Sequence, residues 1–182
     1  MASPLIALLR GINVSGHRKI PMAELRELCG ELGFENVQSY IQSGNLVFTC
    51  PGKPEAVEAR LEEAIEKRFG FAVDVLVRTA AQWAAHAKAN PLPEASAKEP
   101  QLVMLALSKS PPRKEAAEGL RERAVAGERI EAAGGALWVH YAGGVARSKL
   151  SPALFDRLVG SPVTARNWRT VRKLAEMAGV AG

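Results

Sequence analysis

Three polar stretches in this chain carry side chains suited to holding an anion. The first, Arg10-Gly11-Ile12-Asn13-Val14-Ser15-Gly16-His17, directly follows the apolar run Leu5–Leu9. Glycines placed after a strand let the backbone turn with positive φ or approach a ligand closely, and an arginine there offers a bidentate anion contact. No Gly-Lys-Ser/Thr closes the stretch, so it is not a Walker A loop, and the glycine spacing is not that of a dinucleotide fingerprint. The second stretch, Gln42-Ser43-Gly44-Asn45, sits between two strand-like segments and reads as a hairpin tip. The third is split between Arg147-Ser148-Lys149 and Arg166-Asn167. The candidate ligand-binding residues are Arg10, Asn13, Gln42, Ser43, Asn45, Arg147, Arg166 and Asn167. They are expected to meet around one cleft or buried network.

The charge distribution points the same way. Residues 1–142 carry 17 Lys/Arg and 17 Asp/Glu, so the whole net charge of +5 falls in residues 143–182. Seven basic residues there face only Asp156 and Glu176. A smaller basic island, Arg10, Arg18 and Lys19, lies in the first loop, where no acid follows until Glu24. Such clustering reads either as the solvated basic side of a docked helix or as the footprint of a phosphate-bearing partner, a small anionic ligand or nucleic acid. Aromatic residues make up only 5% of the chain, which argues against a surface built of base-stacking platforms.

Catalytic chemistry finds few candidates. His17, His86 and His140 lie in a loop, a helix and a hairpin strand, without a carboxylate at motif spacing. His17 beside Arg18 is the least implausible acid or base, and Ser43 has no evident activating base. Cys29 and Cys50 fit neither a metal-ligand spacing nor a disulfide framework, so no metal and no cofactor is expected. Cys29 falls on the apolar side of a helix and reads as a buried thiol.

These residues need elements to position them. Leu5–Leu9 reads as a buried strand, and Pro21 opens a helix through Leu25, Leu28, Cys29 and Leu32 that stops at Gly33. Val37–Ile41 and Asn45–Thr49 form a hairpin whose alternation sets Val37, Ile41, Leu46 and Phe48 on a core-like face. Glu55–Phe69 is a second amphipathic helix, and Val73–Val77 a strand. The order βαββαβ is the ferredoxin-like unit. Thr79 and Gln82 form a capping box for a connecting helix that contains Trp83. A second round follows: strand Leu102–Leu107, a helix through Leu120, the hairpin Glu128–Ala133/Ala136–Tyr141 around Gly134-Gly135, and a helix from Ser151-Pro152. Its closing strand is not evident. A last helix is expected to start after Thr164, with Trp168, Val171, Ala175 and Ala178 on its apolar face and Arg166, Arg169 and Lys173 opposite.

The expected architecture is therefore α+β, with two pseudo-duplicated ferredoxin-like halves and a C-terminal helix. Residues 1–78 form the first half, 79–100 a connecting helix and linker, 101–160 the second half, and 161–182 a basic C-terminal helix. The start Met1-Ala2-Ser3-Pro4 has no basic n-region, and no apolar run reaches the roughly 18–20 residues that span a bilayer. The expectation is a cytoplasmic protein without a membrane partner. Its oligomeric state is not readable.

Several segments agree with one known pattern. Arg10-Gly11-Ile12-Asn13-Val14, Lys19-Ile20, Leu32-Gly33-Phe34, Tyr40-Ile41-Gln42-Ser43-Gly44-Asn45, Arg147-Ser148-Lys149-Leu150 and Thr164-Ala165-Arg166-Asn167-Trp168 together resemble the bacterial family catalogued as domain of unknown function 1697. Ser15 and Ala146 depart from it, each standing where Gly is usual. The resemblance implies a duplicated ferredoxin-like fold and no established activity. The residues support three functions: a binding module for an anionic ligand, either a phosphate-bearing small molecule or, weakly and without sequence preference, nucleic acid; an enzyme on a phosphorylated small molecule; and a structural or assembly role with the basic tail as solvated surface.

Overall fold

Every residue from Leu5 to Leu9 is buried, because strand β1 (Pro4–Leu9) has a neighbour on each side and is covered on both faces. The computed structural model describes residues 2–181. In its first unit, helix α1 (Met22–Glu31) leads to the hairpin of β2 (Glu35–Tyr40) and β3 (Asn45–Thr49). Helix α2 (Pro54–Phe69) then returns to β4 (Val75–Thr79). The strands lie antiparallel in the order β2-β3-β1-β4. The helical faces of Leu25, Leu28 and Cys29 and of Val57, Leu61 and Ile65 pack against Leu5, Ala7, Leu9, Leu46, Phe48, Val75 and Val77. That is the ferredoxin-like unit expected from the element order.

Edge strand β4 is closed by α2. Glu62 and Glu58 accept the free amides of Val75 and Val77 at 2.9 Å each. An open strand edge invites pairing with another chain, and two carboxylates from the covering helix occupy this one. Glu58 also lies 3.7 Å from Arg78.

The chain continues through α3 (Ala80–Lys88) and α4 (Pro93–Lys98). Thr79 and Gln82 exchange the two bonds of the capping box at α3, at 2.9 and 3.1 Å. The second unit follows: β5 (Val103–Ser108), α5 (Ala116–Arg121), β6 (Glu128–Ala133), β7 (Ala136–Tyr141), α6 (Pro152–Val159) and β8 (Val163–Asn167). Its order, β6-β7-β5-β8, repeats that of the first sheet. Two compact units result, one reaching Ala84 and including Leu174–Ala181, the other Ala85–Lys173. Among the described residues, no helix is long and apolar enough to cross a membrane.

Strand β8 corrects the sequence reading. The helix expected after Thr164 begins at Trp168 as α7 (Trp168–Met177), and the five residues before it are the missing closing strand. Arg166 therefore does not share a helical face with Arg169 and Lys173. It is a strand residue opposite Leu105 and only 8% exposed. Val171, Ala175 and Ala178 are buried as expected, while Trp168 is half-buried and tilts against Trp138 with ring centroids 5.8 Å apart.

The duplication reaches beyond the sheets. Arg78 lies opposite Ile6 as Arg166 lies opposite Leu105, each the fourth residue of the fourth strand. The next residue caps the following helix in both units: Thr79 accepts the Gln82 amide, and Asn167 Oδ1 the Thr170 amide at 3.0 Å.

Burial also sets a pH dependence. It pushes the Cys29 thiol up to about 12, and burial together with the Glu128 charge pushes the Tyr141 hydroxyl up to about 12. In the folded chain both groups keep protons that the unfolded chain loses from about pH 9–10 upward, so stability falls as pH rises toward 12. Urea midpoints should drop between about pH 7 and pH 10.5 and drop less in Cys29→Ala and Tyr141→Phe. Equal drops in the parent and both variants would contradict this assignment.

Candidate functional site

At the end of β1 the chain turns through Gly11 at φ +64° and Asn13 at φ +54°. A tight turn follows, in which Ser15 and Gly16 adopt φ +50° and +75° and His17 donates to the Val14 carbonyl at 2.9 Å. Two successive positive φ values mark a type I′ turn, which favours Asn-Gly. Ser15 carries strain there that asparagine relieves, so Ser15→Asn should raise stability by about 0.5–1 kcal/mol in urea unfolding. An unchanged or lowered stability would contradict this.

Asn13 holds the loop together. Its Nδ2 donates to the Ile20 carbonyl at 3.0 Å and the Gln42 carbonyl at 2.7 Å, and its Oδ1 accepts the Ile20 amide at 2.8 Å. One side-chain amide thus closes the loop on itself and joins it to the hairpin tip. Buried Ile12 and Ile20 anchor the same segment in the core.

The tip is fixed from its other side. The Leu9 amide donates to Gly44 O at 2.8 Å, with Gly44 at φ +88°. A Cβ on Gly44 would fall 2.8 Å from both Leu9 Cβ and Ile12 Cδ1, so only glycine lets the tip sit this close. Asn45 is fully buried, and its Nδ2 donates to the Tyr40 carbonyl at 2.9 Å and to Ser43 Oγ at 3.1 Å. Ile41 departs from the core-like face expected for it. Strand β2 ends at Tyr40, Ile41 turns to φ +49°, and its side chain is 51% exposed. A left-handed backbone is unusual for a β-branched residue.

A third segment completes this end of the unit. The Arg10 amide donates to Asp74 O at 3.0 Å, and its guanidinium reaches Asp74 Oδ2 at 3.3 Å. Arg18 donates to the Ala72 carbonyl and stacks over Phe71, 5.4 Å from the ring centre. The segments that carry Arg10, Asn13, Gln42, Ser43 and Asn45 are therefore brought together at this end of the unit. His17, Arg18, Lys19, Gln42 and Ser43 are exposed. The roles of Asp74 and Phe71 were missed, since nothing in sequence ties them to a loop more than fifty positions earlier.

Arg147, Arg166 and Asn167 belong to the second unit. Arg166 donates to Thr164 Oγ1 at 2.8 Å and the Ala165 carbonyl at 2.9 Å, and burial lowers its pKa to about 10. Asn167 caps α7. Arg147 is exposed on a 3-10 turn (Val145–Arg147). The residue after it, Ser148, donates to Glu128 Oε1 at 2.6 Å, and the Ala126 amide donates to Glu128 Oε2 at 2.8 Å. Burial works against the Glu128 charge, but these hydrogen bonds outweigh it and hold the carboxyl below its usual range. His140 Nε2 lies 2.8 Å from Glu99 Oε2 across 41 positions, a pairing that motif spacing does not reveal.

The family model described as protein of unknown function, DUF1697, matches residues 2–138. No curated protein matches the chain. Among solved structures, the conserved bacterial protein SP0830 from Streptococcus pneumoniae is similar at 22% identity with a TM-score of 0.71, over 98% of this chain and 99% of that one. That likeness supports the fold.

Proposed function

The chain belongs to the DUF1697 family of proteins of unknown function, and we propose that it binds a phosphate-bearing ligand at the loop end of its first unit. One observation supports this above the others: Arg10, Arg18 and Lys19 lie on one loop that Asn13 holds in shape, with Arg10 paired to Asp74, Arg18 set over Phe71 and Lys19 exposed. Arg10 and Arg18 are steadied by Asp74 and by Phe71 with Ala72, so they give a fixed positive field. Exposed Lys19 supplies a charged donor, and Gln42 and Ser43 supply neutral ones. A preset donor array binds an anion without the ordering loss that a loose loop would incur. Asn13 and Asn45 act as frame and touch no ligand. Arg166 and Asn167 have the same framing role in the second unit, and Arg147 lies on that unit's own surface.

Nucleic acid is the second reading, favoured by the exposed cations Arg169 and Arg172 of α7. Titration with inorganic pyrophosphate and with a single-stranded oligonucleotide separates the two. Pyrophosphate affinity should fall by about tenfold or more in Lys19→Glu and stay unchanged in Arg169→Ala. An oligonucleotide that binds far more tightly than pyrophosphate, and weakens in Arg169→Ala, would replace this reading with the second. An unchanged pyrophosphate affinity in Lys19→Glu would remove the site from the loop.

A further inference from the structure

The four large apolar side chains exposed among the described residues lie two to a unit, Val14 and Ile41 in the first and Val125 and Val145 in the second. The second pair belongs to no site described so far. We propose that it forms a docking patch for an acidic protein segment that inserts apolar side chains between its carboxylates.

Val125 is 66% exposed and Val145 48%, on two loops that touch. Gly143 lies so close to Ala126 that a Cβ there would be 2.4 Å from the Ala126 carbonyl oxygen. Glu128 fastens both loops to β6, through the Ala126 amide on one side and the Ser148 hydroxyl on the other. The valines are therefore presented on a rigid base, where side chains this apolar ordinarily fold inward.

The motif Arg147-Ser148-Lys149-Leu150 sets the charge around them. Ser148 and Leu150 turn inward, the first to Glu128 and the second into the core, so Arg147 and Lys149 alternate outward beside Val145. Arg123 adds a third cation near Val125. Of the neighbouring acids, Glu122 lies 3.7 Å from Arg123, and Glu128 is committed to the loop clamp. The patch thus has the two valines at its centre and the exposed cations Arg147 and Lys149 beside Val145, while the Arg123 charge is met by Glu122. Phosphates alone would use the cations and leave the valines wet, and an interfacial membrane anchor uses Trp, Phe or Leu rather than two valines. An acidic segment with apolar side chains satisfies both parts.

Fluorescence anisotropy with the full chain tests this using a short labelled peptide of alternating glutamate and leucine. Its comparators are an all-glutamate peptide of equal length, phosphatidylserine vesicles and a single-stranded oligonucleotide. The mixed peptide should bind about tenfold more tightly than the all-glutamate one. The double variant Val125→Ser/Val145→Ser should erase that advantage, and Arg147→Glu should weaken both peptides. The double serine variant should leave pyrophosphate affinity unchanged, which keeps this result apart from the fate of the pyrophosphate site. Equal affinity for the two peptides, an advantage that survives the double serine variant, or no binding up to about 100 µM would overturn the proposal. Tighter binding to vesicles or to the oligonucleotide would overturn it in favour of that partner.

Discussion

Gly44→Ala is expected to destabilise the protein by about 3 kcal/mol, the largest effect of any one-methyl change at the candidate site. Two costs combine. A residue with a side chain at φ +88° loses roughly 1–2 kcal/mol relative to glycine. The new methyl would also lie 2.8 Å from Leu9 Cβ and Ile12 Cδ1, and overpacking of this kind costs about 1–3 kcal/mol. Neither neighbour yields easily, because Leu9 is at the end of the central strand and Ile12 is 2% exposed. The tip must shift instead, which strains the bond from the Leu9 amide to Gly44 O. Urea unfolding measures the loss, and a change under about 1 kcal/mol would mean the tip does not rest on Leu9 and Ile12.

Asn13→Ala should lose about 2–3 kcal/mol and should loosen the loop before it unfolds the domain. It removes three hydrogen bonds, each with a net worth of roughly 1 kcal/mol, and leaves the Ile20 amide and two carbonyls to find water. Alanine also tolerates φ +54° less well than asparagine, whose short polar side chain suits left-handed backbone. The Gln42 contact is exposed, so water recovers part of that bond, which keeps the estimate below the full sum. Amide exchange at Ile20 should accelerate well beyond the global change, and pyrophosphate affinity should fall although every cation remains. Unchanged exchange at Ile20 would show that Asn13 does not close the loop.

How far the sequence foretold this arrangement varies from segment to segment. The hairpin Glu128–Ala133/Ala136–Tyr141 was readable to the residue, because alternation on both sides of Gly134-Gly135 leaves one register. The capping box at Thr79 and Gln82 was equally plain. Strand β8 was not, because it runs straight into α7 with no turn residue between them and carries Arg166 at a buried position. A short strand followed directly by a basic helix reads as one helix with its cap slightly early. Ile41 was misplaced for a different reason: alternation assumes extended backbone, and the strand ends one residue before it.

The candidate site was half legible. The Arg10 loop and the Gln42–Asn45 tip were expected to meet, and they do, since β1 ends where the antiparallel β2–β3 hairpin turns. What holds them is a set of side chain to backbone bonds, and a carbonyl acceptor leaves no mark in sequence. For that reason Asn13 and Asn45 read as ligand donors, while their hydrogen bonds are those of a frame. The same holds for Asn167 at the start of α7.

The central claim, that a phosphate-bearing ligand binds the loop end of the first unit, is tested most directly by following backbone amide resonances during titration with inorganic pyrophosphate. The account predicts saturable shifts confined to residues 10–20, 41–45 and 71–74, abolished in Lys19→Glu and retained in Arg169→Ala. Shifts spread over the exposed cations of α7, or none in the loop at saturating pyrophosphate, would contradict it.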